Sequence, residues 1–147
     1  MKLWRISNYA DITGLGGWHF SARWHTRGRP IFYAAEHPAG ALVEFLVHLQ
    51  DGLTPDSFQM LTIDADEGVA VHEIDPGALS ESWRSSLAVT REIGDRWLVE
   101  GSTPLLRVPS VILPDTWNLL INPLHPHTPA MLRITKAQHV PLDDRLS

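Results

Sequence analysis

Cysteine is absent from the 147 residues. Disulfides, thiolate nucleophiles and Cys-based zinc sites are therefore excluded. Long apolar runs are also missing. Nothing approaches the ~18 consecutive apolar residues of a membrane span, and the opening Met1-Lys2-Leu3-Trp4-Arg5 lacks the apolar core of a signal peptide. A soluble, cytoplasmic protein with no membrane partner is expected. Positive charge is in short supply overall, with a net charge of -5 and a pI near 5.8. That balance argues against direct nucleic-acid binding, which needs clustered basic residues. Lysine is scarce: ten of the twelve basic residues are arginine, the side chain whose planar fork matches phosphate and carboxylate oxygens. Carboxylates are missing from the whole stretch Ile12 to Ala35, which carries Arg23, Arg27 and Arg29. Such a stretch suits either a small anionic ligand or a solvated basic loop.

What is present is enough apolar residue, 44% of the chain, to bury one core, and one domain over residues 1–147 is expected. Leu3 to Ile6 and Ile31 to Ala34 read as short strands, separated by an irregular loop at Gly14, Gly16 and Gly17. Those glycines have the wrong spacing for a dinucleotide fingerprint. Pro38 opens a helix over Ala39 to Gln50, with Gly52 placed for a left-handed cap. Phe58 to Ile63 and Val69 to Ile74 read as strands joined by the acidic Asp64 to Gly68 turn, which suggests a hairpin. The turn lacks the glycine position of a calcium loop. A second helix is expected over Thr90 to Glu100 with Gly101 as its stop, and a last strand over Met131 to Thr135. Leu105 to Val108 and Val111 to Leu113 are apolar runs, and the prolines of the final third break it into short pieces. Short strands with few helices indicate an α+β fold with a mixed sheet.

Glu44 is the most informative position. Its helix reads Ala41-Leu42-Val43-Glu44-Phe45-Leu46-Val47, apolar almost all round, and such a helix is usually buried. A carboxylate in its middle is then paired, hydrogen-bonded or part of a site, unless it shares a wet face with Gly40, Ala41 and His48. Arg5 on its strand is either the polar side of an edge strand or a site residue. Tyr33 is either a core aromatic with a wet hydroxyl or a ligand platform. The eight histidines are scattered, and even His125-Pro126-His127 lacks the spacing of a catalytic zinc site, so no metal is expected. Ser102 and Ser110 lack a nucleophile-elbow context.

The order of these residues is similar to the RES family, named for an arginine, a glutamate and a serine. The likeness begins at Leu3-Trp4-Arg5-Ile6 and continues through Ser21-Ala22-Arg23-Trp24-His25, Gly28-Arg29-Pro30 and Tyr33-Ala34-Ala35. It then takes in Ala41 to His48, Val108-Pro109-Ser110, and Asn118 to Pro126. The family often has glycine where this chain has Ala22. The resemblance implies a compact mixed sheet with flanking helices, an ADP-ribosyltransferase-like fold with an NAD-binding cleft. It also implies a toxin of a toxin–antitoxin pair that degrades NAD by hydrolysis or phosphorolysis, with NAD as substrate and no further cofactor. It places Glu44, Arg5 and Tyr33 among the catalytic residues and Arg23, Ser110 and Asn118 at substrate, with Asn118 and Asn122 also holding the loops of the cleft. The implied partner is a helix-turn-helix, Xre-like antitoxin in a higher-order complex. Transfer of ADP-ribose to a macromolecule, and a non-catalytic module that binds a nucleotide or acidic partner, are the alternatives.

Overall fold

The computed structural model describes residues 1–49 and 53–146. Seven strands form one sheet: β1 (Lys2–Ile6), β2 (Phe32–Ala35), β3 (Ser57–Ala65), β4 (Val71–Glu73), β5 (Leu105–Pro109), β6 (Trp117–Ile121) and β7 (Leu132–Pro141). Their spatial order is β4-β5-β6-β2-β1-β3-β7. All neighbours are antiparallel except β4 and β5. The helices are α1 (Gly16–His19), α2 (Pro38–Val47), α3 (Leu87–Glu100) and α4 (Thr128–Met131). The expected α+β class with a mixed sheet is what the chain adopts.

Strand alternation divides the core between the two faces of the sheet. Leu3, Phe32, Leu61, Ile63, Leu105, Leu119 and Ile121 belong to one cluster. Leu106, Val108 and Leu120 belong to the other, where Trp24, Trp83, Trp97 and Leu98 cover them. Full burial of a leucine contributes about 1.5–3 kcal/mol, so these ladders anchor everything else. The predicted hairpin is not formed. Phe58 to Ile63 does lie in β3, but β3 pairs with β1 and β7. The Val69 to Ile74 segment crosses to the far edge, where β4 runs parallel to β5. Val69 is buried in the first cluster, and Asp66 and Val69 close a tight turn that redirects the chain. β6 was visible only as a motif, and β7 runs on to Pro141, well past the expected Thr135.

α3 ends as the sequence predicts. Gly101 adopts φ 59° and donates its N–H to Trp97 O at 2.9 Å, a left-handed stop. α2 begins at Pro38, with the ring of His37 accepting a hydrogen bond from Ala39 N. The expected cap at Gly52 lies outside the described residues, as does Gln50. α2 is not the buried helix its composition suggests: only Ala41 is fully buried, and Val47 is 52% exposed. It packs against β1 and β2, and Ala41, Phe45 and Val47 line a cleft.

Candidate functional site

The cleft exists because the sheet is split. β1 and β2 pair at a single register position, Trp4 with Ala35, whereas β1 and β3 pair along five. Beyond Trp4 the two central strands part, and Arg5 bridges the gap. Its Nη1 donates to Tyr33 O at 2.8 Å, and its guanidinium lies 4.9 Å from the centre of the Phe32 ring. β1 is a central strand, so Arg5 is not the polar side of an edge. Burial pulls its pKa below the usual value, with the Tyr33 hydroxyl opposing. Arginine keeps its charge through such a shift.

Two lobes open from this split, of ≈ 890 Å³ and ≈ 730 Å³, and Arg5, Tyr33 and Phe45 line both. The larger runs under the Gly14 to Phe20 loop and toward Phe58. Two of its three glycines serve close packing. A Cβ on Gly14 would stand 2.7 Å from Ile31 N, and one on Gly17 2.5 Å from Arg29 O. The smaller lobe lies between α2 and α3 and holds Glu44, Arg23, Arg91 and Asn118.

Glu44 Oε1 accepts hydrogen bonds from Asn118 Nδ2 at 2.9 Å and Ser110 Oγ at 3.3 Å. Oε2 takes none from any described residue. Both donors are placed by strand ends. Asn118 in β6 sits opposite Val108 on one side and Ala35 on the other. Ser110, just past β5, is buried and held by its N–H to Thr116 O, and its Oγ accepts from Ile112 N and Leu113 N. The Val111 to Leu113 run is thereby bent into a turn, not a strand. The carboxylate is half-buried, hydrogen-bonded on one oxygen and open on the other.

Tyr33 occupies a different niche. Its hydroxyl accepts from Trp24 N at 3.1 Å and lies 2.8 Å from His25 Nδ1, while His25 Nε2 lies 3.3 Å from Gly17 O. One proton pattern satisfies all three contacts: Tyr33 donates to Nδ1, and Nε2–H donates to the carbonyl. Burial drives the Tyr33 hydroxyl pKa well above its usual value, opposed by the Trp24 hydrogen bond. Burial lowers that of His25, opposed by the bond to Gly17 O. The expected wet hydroxyl is dry. Tyr33 offers the cleft its ring and uses its oxygen to hold the loop.

α3 fastens the basic segment. Thr90 Oγ1 donates to Arg23 O, Arg91 Nε to Ala22 O at 2.9 Å, and Asp95 accepts from Thr26 N and Oγ1, each at 2.8 Å. Gly94 lets the helix touch the segment, since a Cβ there would stand 1.6 Å from Trp24 O. Ala22, where glycine is frequent, needs no left-handed backbone: among the described residues Asp115 is the one non-glycine with positive φ. Arg23 donates Nη1 to Arg84 O at 3.2 Å and otherwise faces the lobe.

The structure thus brings Arg5, Arg23, Tyr33, Glu44, Ser110 and Asn118 around one cleft. Asn122 stands away from it, buried, where its carbonyl accepts from Thr128 Oγ1 and its side chain from Leu124 N. His125 serves the same turn, accepting from His127 N. Sequence reasoning missed two residues of the site. His25 was legible only through its place beside Arg23 and Trp24. Arg91 gave no local signal, because its anchor Ala22 lies 69 residues away.

Comparison with known proteins identifies the family. The family model described as "RES domain" matches residues 2–143. A Pseudomonas putida protein named "Toxin Res" is 45% identical over 130 residues, covering 86% of this chain and 87% of its own length. A Sphingobium protein named "Prs ADP-ribosylating toxin" is 39% identical over 135 residues, covering 85% of this chain and 84% of its own. Among solved structures, the fold is similar to a chain in the crystal structure of the M. tuberculosis MbcT–MbcA toxin–antitoxin complex. The TM-score is 0.77 at 18% identity, covering 99% of this chain and 85% of that one. With its family model spanning nearly every residue and relatives aligned over most of their length, the chain belongs to the RES domain family.

Proposed function

We propose that this protein is the toxin of a toxin–antitoxin pair and that it cleaves the bond between nicotinamide and ribose in NAD. The observation that carries the reading is Glu44: a carboxylate held on one oxygen by Asn118 and Ser110, its other oxygen without a described partner, in a lobe that also holds three arginines. Cleavage sends the bonding pair to the nicotinamide nitrogen and builds positive charge on the sugar. A fixed carboxylate beside that sugar stabilises the transition state more than the ground state, where the charge still rests on the ring. Water then forms the new bond to C1′ and loses a proton to solvent, giving ADP-ribose. With inorganic phosphate as nucleophile the product is a phosphorylated ADP-ribose.

The two lobes suit a two-part substrate. In this reading Arg5, at their junction, binds the pyrophosphate, Arg23 holds the same group from the Glu44 side, and the ring of Tyr33 packs against the nicotinamide ribose. NAD enters as substrate, with no metal in any step. The partner in this reading is a helix-turn-helix antitoxin in a higher-order complex. Tyr9, Leu15, Phe20 and Leu53 keep large apolar surfaces exposed along the larger lobe, surface that a covering partner would bury.

A second reading is transfer of ADP-ribose to a macromolecule, which the Sphingobium relative's name favours. The bond broken is the same and only the acceptor differs. Incubation with NAD tests both. Nicotinamide release by the unchanged protein and none by Glu44→Gln is the expected result, and free, phosphorylated or macromolecule-bound ADP-ribose identifies the acceptor. A folded Glu44→Gln variant of undiminished activity would exclude the mechanism.

A further inference from the structure

Three arginines, Arg5, Arg23 and Arg91, line the lobe that contains Glu44, and among the described residues Glu44 is its only carboxylate. Each arginine spends one N–H on a backbone carbonyl: Arg5 on Tyr33 O, Arg23 on Arg84 O and Arg91 on Ala22 O. None forms an ion pair with a described carboxylate, although Lys2, Arg96, Arg107, Arg133 and Arg145 all do. Asp95, one turn along α3 from Arg91, is committed by both oxygens to Thr26. The lobe therefore carries an excess of two positive charges that no described group of the protein neutralises.

We propose that Arg91 is a phosphate-binding residue of this lobe, completing with Arg23 an anion subsite on the α3 side for the pyrophosphate of the dinucleotide. The inference rests on the NAD reading above. Arg91 is anchored through Nε, which leaves both Nη groups, four N–H donors on one planar fork, free of described partners. Anchoring by Nε fixes the plane of the guanidinium, so little side-chain freedom remains to be lost when it binds. The charges also match. A pyrophosphate carries two negative charges and the nicotinamide ring one positive, and the lobe offers groups of the opposite sign to each, three arginines and one carboxylate. Arg91 and Arg23 are tied to each other through the backbone, since Thr90 holds Arg23 O while Arg91 holds Ala22 O. α3 thus fixes the backbone that carries Arg23 and supplies Arg91 itself, while Arg84 O holds the Arg23 fork.

The test measures ADP-ribose affinity, NAD turnover and melting temperature for Arg91→Gln, Arg91→Lys and Arg96→Gln. ADP-ribose keeps both phosphates and lacks nicotinamide, so its affinity reads phosphate contact directly. Arg91→Gln is expected to weaken ADP-ribose and raise KM for NAD by about tenfold or more, with kcat within about twofold. Arg91→Lys keeps the charge. It is expected to fall between Arg91→Gln and the unchanged protein, because the fork is lost. Arg96, paired with Glu92 on the exposed side of α3, is the control and is expected to change nothing. Unchanged ADP-ribose affinity in both Arg91 variants, or a lower melting temperature with kcat falling and KM constant, overturns the proposal. If Glu44→Gln abolishes nicotinamide release while Arg91→Gln binds normally, only the Arg91 assignment falls. If the unchanged protein binds neither ADP-ribose nor NAD, both fall together.

Discussion

Asn118 donates its side-chain amide to Glu44 Oε1 at 2.9 Å, across 74 residues of sequence. The contact joins a strand buried in the sheet to a half-exposed helix, so the strand dictates where the carboxylate points. Replacing Asn118 with Ala leaves Glu44 charged and close by but removes its main orienting donor. Turnover of NAD is expected to fall about 10- to 100-fold, since small misplacement of a reacting group is costly. Asn118→Asp, which sets a like charge against the carboxylate, is expected to fall further. Steady-state kinetics with circular dichroism as a folding control decide this, and undiminished turnover in Asn118→Ala would show that orientation does not matter.

Glu44→Gln separates chemistry from stability. The amide oxygen can still accept from Asn118, and the site is open to solvent, so the fold loses little. A drop in nicotinamide release of about 10²-fold or more is expected from losing charge stabilisation. Its melting temperature is expected to stay within a few degrees of the unchanged protein.

Tyr33→Phe is expected to give the opposite signature. The hydroxyl accepts from Trp24 N and meets His25 Nδ1, so its removal strands a backbone donor and a ring nitrogen in the interior. A buried polar group left unmade costs about 1–3 kcal/mol, or roughly 3–10 °C in melting temperature for a chain of this size. Differential scanning calorimetry reads the shift directly. A variant as stable as the parent would mean that water or a neighbour replaces the hydroxyl.

His25 sets a pH dependence. Its folded pKa lies below the ordinary histidine value because of burial, so at mildly acidic pH the unfolded chain binds a proton that the folded chain refuses. Stability then rises with pH in that window. The contribution is complete above the ordinary histidine pKa and is lost as pH falls from there toward the depressed folded value. Melting temperatures at pH 7.5 and pH 5.5 are expected to differ less in His25→Gln than in the parent, although the variant is less stable at both. An equal or steeper slope in the variant would assign the acid sensitivity to other groups.

What was legible in the sequence followed from local rules. Pro38 and Gly101 mark helix ends because the geometry of a helix end is decided within a few residues. Glu44 announced itself because a carboxylate among Ala41, Val43, Phe45 and Val47 breaks an apolar pattern. The failures share one cause, contact between distant segments. The Asp64 to Gly68 turn looks like a hairpin turn, yet β4 finds its partner in β5, over thirty residues on. α2 looks buried because its composition is apolar, but exposure is decided by a cleft whose other wall is α3. Arg5 and Tyr33 were identifiable only by resemblance. That one bridges the split in the sheet depends on a single register pair, Trp4 with Ala35, and that the other locks a loop depends on contacts with Trp24 and His25.

Gly94 carries the last prediction. It lies in the middle of α3, where glycine is unfavourable by about 0.5–1 kcal/mol relative to alanine. By helix propensity alone Gly94→Ala should therefore stabilise the protein. The tertiary structure says otherwise, because the new Cβ would stand 1.6 Å from the carbonyl oxygen of Trp24, a backbone atom that no rotamer change can move aside. The helix must shift from the segment that Thr90, Arg91 and Asp95 hold, and overpacking of this kind costs about 1–3 kcal/mol or more. The same shift displaces Arg23 and His25, so NAD turnover is expected to fall with stability. An alanine variant that melts higher and turns over NAD normally would show that α3 does not clamp the basic segment.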